Sequence, residues 1–85
     1  MMDEIEVGRA KFLEVLKQID PAAEGVIPVR ATNSNFLISI TRGKGRKFIS
    51  VTEDDLIDMA ADASIGHAVE SQIREALEAI KRSGV

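Results

Sequence analysis

Arg42, Lys44, Arg46 and Lys47 fall within six residues, spaced by Gly43 and Gly45, and hold four of the chain's eleven basic side chains. A local charge of +4 on a glycine-loosened turn attracts anions, either a phosphate backbone or the acidic surface of another protein. The same pattern suits a solvated hairpin tip, where glycine meets a backbone requirement and charge discourages edge aggregation. No aromatic residue interleaves with the cations, which argues against stacking on unpaired bases. Gly43-Lys44-Gly45 also lacks the spacing and following hydroxyl of a phosphate-cradling loop.

A second group has the opposite sign. Asp55, Asp58 and Asp62 recur at i, i+3 and i+7, with Glu53 and Asp54 beside them. Carboxylates at that spacing share one helix face, where they could hold a divalent cation, offer a negative stripe to a basic partner or line the wet side of an amphipathic helix. They lack the central glycine and ligand spacing of a calcium loop. His67 is the single histidine and there is no cysteine, so the chain offers a poor metal-ligand set. Ser34 and Ser39 lack a nucleophile-elbow context, and the one imidazole falls near a helix start. A chain of 85 residues has little room for a water-excluding cleft, so no enzyme activity, metal or cofactor is expected.

Residues 1–41 carry −2, residues 42–47 +4 and residues 48–85 −5, for a net −3. The molecule is dipolar, whereas a dedicated nucleic-acid coat is usually basic throughout. Hydrophobic content of 45% and charged content of 29% are values of a folded single domain. The longest apolar runs, Phe36-Leu37-Ile38 and Met59-Ala60-Ala61, are far too short to span a membrane. The acidic opening Met1-Met2-Asp3-Glu4-Ile5-Glu6 has no secretory pattern, which leads to the expectation of a cytoplasmic protein.

The elements that must position these groups follow from periodicity. Ile5, Phe12, Val15, Leu16 and Ile19 form one stripe of a helix from Asp3 to Gln18, ended at Asp20 by Pro21. Gly8 weakens its first turns. Phe36, Ile38 and Ile40 alternate along a central strand. A Gly43-Lys44 turn sets Phe36, Ile38 and Ile40 opposite Val51, Ile49 and Lys47. An Asn33-Ser34 turn sets the same three opposite Ala31, Val29 and Ile27. Pro28 fits an edge strand. Leu37, Ser39, Thr41, Phe48 and Ser50 take the other face.

Thr52 opens a helix whose buried stripe reads Leu56, Met59, Ala60 and Ala63. A break at Ser64-Ile65-Gly66, capped by Ser64, precedes a last helix from Gly66 to Arg82. Its stripe is Ile65, Val69, Ile73, Leu77 and Ile80, widened by Ala68, Ala76 and Ala79. The expected fold is a small two-layer α+β domain of order α-β-β-β-α-α, a three-stranded antiparallel meander covered by helices.

Three helices cover one sheet face, leaving the other for solvent or a second subunit, so a homodimer is in play. The leading expectation is a non-catalytic regulatory or accessory protein that binds a protein partner. Arg42, Lys44, Arg46 and Lys47 would meet an acidic surface, and Asp55, Asp58 and Asp62 a basic one. Nucleic-acid binding by the basic hairpin is the alternative, and a homo-oligomer joining basic turn to acidic helix the third.

Overall fold

A single strand, β2 (Asn35–Arg42), organises the chain: Phe36, Ile38 and Ile40 on one of its faces are all but fully buried. The computed structural model describes residues 3–84. β2 lies between β1 (Glu24–Val26) and β3 (Gly45–Thr52), antiparallel to both, in the order β1-β2-β3. Helices α1 (Glu4–Ile19), α2 (Glu53–Asp58) and α3 (Ala63–Gly84) complete the fold. Phe12 and Leu16 of α1, Leu56 and Met59 of α2, and Val69, Ile73, Ala76, Leu77 and Ile80 of α3 share one core with the β2 row. Element order, antiparallel meander and helix-covered sheet are those read from the sequence.

The β2–β3 register also agrees with the sequence. Phe36 faces Val51, Ile38 faces Ile49 and Ile40 faces Lys47 across a two-residue Gly43-Lys44 turn. Gly43 has φ +61°, the conformation glycine supplies at the first position of such a turn.

The first strand corrects the sequence reading. Asn33-Ser34 is a tight turn, with Thr32 and Asn35 exchanging two backbone hydrogen bonds. Beyond it, however, Gly25 rather than Ile27 stands opposite Ile40, and Val29 and Ala31 have left the ladder. The slip is two residues, so the face parity is kept while the pairing moves. Its cause is Arg9, whose guanidinium donates to the carbonyls of Pro28 (2.8 Å) and Ile27 (3.3 Å). Those oxygens bond to α1 instead of to a neighbouring strand. Pro28, which has no N–H for a ladder, lies in this detour.

Helix ends follow local chemistry. The Asp3 carboxylate accepts the Glu6 N–H at 2.8 Å, and the Thr52 hydroxyl accepts the Asp55 N–H at 3.1 Å. α1 ends at Asp20, before Pro21, as the sequence implies. The break between the last two helices lies earlier than Ser64: it spans Met59 to Asp62, and Asp62 caps α3 by accepting the Ser64 N–H. Ala60 and Ala63 are consequently exposed instead of buried, and so is Ala68.

Gly8 does not delay α1. It is buried where α2 crosses, and a methyl there would collide with the backbone carbonyl of Leu56. Gly8→Ala should therefore destabilise the fold by about 1–3 kcal/mol from overpacking, outweighing the roughly 1 kcal/mol that alanine gains in a free helix. Urea unfolding should show a lower midpoint at unchanged slope. In the Asn33-Ser34 turn both residues have positive φ, 51° and 63°. Ser34→Gly relieves left-handed backbone strain and should raise stability by roughly 0.5–1 kcal/mol in the same assay.

Candidate functional site

Strand alternation divides the basic run. Ile40 points into the core, so its cross-strand neighbour Lys47 shares the helix side of the sheet, while Arg46, opposite Thr41, lies on the far side. Lys44 stands exposed at the turn. Arg42 is committed elsewhere: its guanidinium forms an ion pair with Asp20 at the end of α1. Four consecutive charges thus serve three surfaces and one internal tie. Gly45 fits beneath Ile80, which anchors the hairpin to α3.

The Arg42 tie was not visible in the sequence, because its partner lies 22 residues away. It holds the Asp20 carboxyl below its ordinary value, chiefly by the hydrogen bond from Arg42, which outweighs an opposing effect of burial, with lesser help from the Ala22 N–H and the charges of Arg42 and Lys81. Arg42 and Asp20 therefore fasten the base of the turn to the helix layer.

The acidic group sits at the other end of β3. α2 begins where β3 ends, so Glu53, Asp54 and Asp55 are seven strand steps from the turn, about 23 Å at 3.3 Å per residue. Asp58 and Asp62 are exposed, and Asp55 is half-buried. Part of this acidity serves the fold: the Asp62 carboxylate caps α3 by accepting the Ser64 N–H. Among the described residues, no three His, Cys, Asp or Glu side chains converge as a metal site. His67 is exposed in the first turns of α3.

The sheet face away from the helices is open. Val26, Leu37 and Phe48 are 65%, 59% and 51% exposed, far more than large apolar side chains in a core. Val26 and Phe48 flank Ser39 in one cross-strand row, and Leu37 occupies the next row of β2. Glu24, Thr41 and Arg46 form the row toward the turn. The result is an apolar triangle with a charged border, legible in the sequence as the face of Leu37, Ser39, Thr41, Phe48 and Ser50. Val26 was missed, because the expected first strand began at Ile27, whereas β1 starts at Glu24.

No protein-family model, no curated protein and no solved structure matches this chain. No helix among the described residues is long and apolar enough to cross a membrane.

A depressed Asp20 has a definite pH signature. The unfolded carboxyl titrates near pH 3.9, so the stabilisation from its pair with Arg42 is fully present above that pH. It is lost as pH falls through the lower folded value. Carboxyl NMR titration should find Asp20 below the ordinary aspartate value, and Arg42→Gln should return it toward that value.

Proposed function

We propose that this chain is a non-catalytic regulatory or accessory protein that binds a protein partner through the open face of its sheet. The observation that supports this is the cluster of Val26, Leu37 and Phe48, each more than half exposed on a regular, rigid surface. Single exposed apolar residues are ordinary, but three grouped on one sheet face form a docking patch. Arg46 on its border and Lys44 at the turn favour a partner whose own apolar spot has an acidic margin. The distant acidic start of α2 would repel such a margin, and so fixes which way round the partner lies.

Nucleic acid is less well supported as the ligand. A phosphate backbone following one side of the hairpin meets Lys44 with either Arg46 or Lys47, since those two point to opposite faces and Arg42 is held by Asp20. Each phosphate neutralised adds only about 0.9 to the salt slope, too little for tight binding from so few contacts.

Capture from native extract, with and without nuclease, tests the reading. Wild-type protein should retain a protein partner after nuclease treatment. Leu37→Asp should reduce capture by roughly tenfold or more, as for loss of a central anchor, and Lys44→Glu with Arg46→Glu should slow association and reverse its salt dependence, since added salt then screens a repulsion. Retention unchanged in both variants removes the proposal, and capture abolished by nuclease transfers it to nucleic acid.

A further inference from the structure

We propose that β3 pairs antiparallel with β3 of a second copy about a two-fold axis at Phe48, joining two three-stranded sheets into one of six strands. This goes beyond the partner reading above, since it uses the edge of β3 and not the open face.

The hydrogen-bond ladder supplies the first argument. A two-residue turn makes Arg42 and Gly45 a mutually bonded pair, so bonded pairs recur at Ile40–Lys47, Ile38–Ile49 and Phe36–Val51. The N–H and C=O groups of Arg46, Phe48 and Ser50 therefore point outward along the edge. Ser50 C=O receives a long 3.5 Å contact from the Gln72 amide, which an incoming N–H would readily displace. β3 is eight residues long and contains no proline, so its edge is a template for another strand. Centred on Phe48, the outward groups of two copies match: Phe48 faces the partner's Phe48, and Arg46 faces the partner's Ser50.

Charge selects the occupant. In this register Lys44 of each copy comes beside the partner's Thr52, and so beside the acidic opening of the partner's α2. Symmetry repeats the contact at both ends, so each positive turn meets a negative helix start. Moving the axis one residue toward the turn would oppose the two Lys47 side chains, which like charges disfavour.

The helix side has room for this. Lys47 is exposed and Ile49 only half-buried, so α3 leaves the edge of β3 uncovered. Lys47, Ile49, Ser50, Gln72, Glu75 and Ala76 line a groove of about 290 Å³ there. Pairing sets the partner's Lys47 across from Ile49, with its aliphatic stem on the isoleucine and its ammonium on the Glu75 side of the groove.

Analytical ultracentrifugation at low salt should find a dimer of the wild-type chain. Ser50→Pro removes an outward N–H and no bond to β2, and should raise the dimer dissociation constant roughly tenfold or more while circular dichroism stays native. Lys44→Glu/Arg46→Glu and Glu53→Lys/Asp54→Lys should each be monomeric, and their mixture should dimerise, because mixing restores unlike charge at both ends. A wild-type chain that stays monomeric at millimolar concentration overturns the proposal. A dimer that Ser50→Pro leaves intact, or folded charge variants whose mixture stays monomeric, overturns it equally. Leu37→Asp leaves every outward backbone group of β3 in place, so a Leu37→Asp chain that loses the partner yet still dimerises separates this proposal from the open-face reading.

Discussion

The apolar row of β2 against the helix layer is the constraint on which every other feature depends. Phe36, Ile38 and Ile40 are buried to within 1% of completeness, together with Phe12 and Leu16 below one helix and Ile73 below another. Each such side chain contributes roughly 1.5–3 kcal/mol on burial, against a net stability of about 5–15 kcal/mol for a whole domain. Exposing two or three of them would unfold the chain. Because strand side chains alternate, burying this row also decides that Leu37, Ser39 and Thr41 face outward. The open apolar face is therefore a direct product of the core, not a separate invention of the surface.

What the sequence revealed and what it hid have a common explanation. The β2–β3 pairing was legible because its determinants are local: a glycine where the turn needs positive φ, and alternation on both sides of it. The cap at Thr52 is equally local. The β1 pairing was not legible, since it is set by Arg9 reaching carbonyls 18 and 19 residues away. Arg42 and Asp20, 22 residues apart, escaped for the same reason. Gly8 looked like a weak helix residue because its reason lies in another helix, at Leu56. At the candidate site, residue identities and the open face were readable, whereas the division of the basic run among different surfaces required the strand register and the packing of α1.

Segregated charge acquires a scale from the fold. The cationic turn and the acidic start of α2 lie at opposite ends of β3, roughly 23 Å apart, more than twice the ~8 Å screening length at physiological salt. Within one molecule they exert little force on each other. Each acts on whatever comes near it, and their separation along a stiff strand works as a ruler for any oppositely patterned surface.

Arg9 has a consequence for the other margin of the sheet. By drawing the Ile27 and Pro28 carbonyls toward α1, it leaves β1 with three residues and no regular row of acceptors beyond them. A sheet terminated in this way can be extended from one margin alone. On the proposed β3 pairing, strand addition would end in a closed unit, and Arg9, bonded at Ile27 beside the open face, would work against growth into fibres.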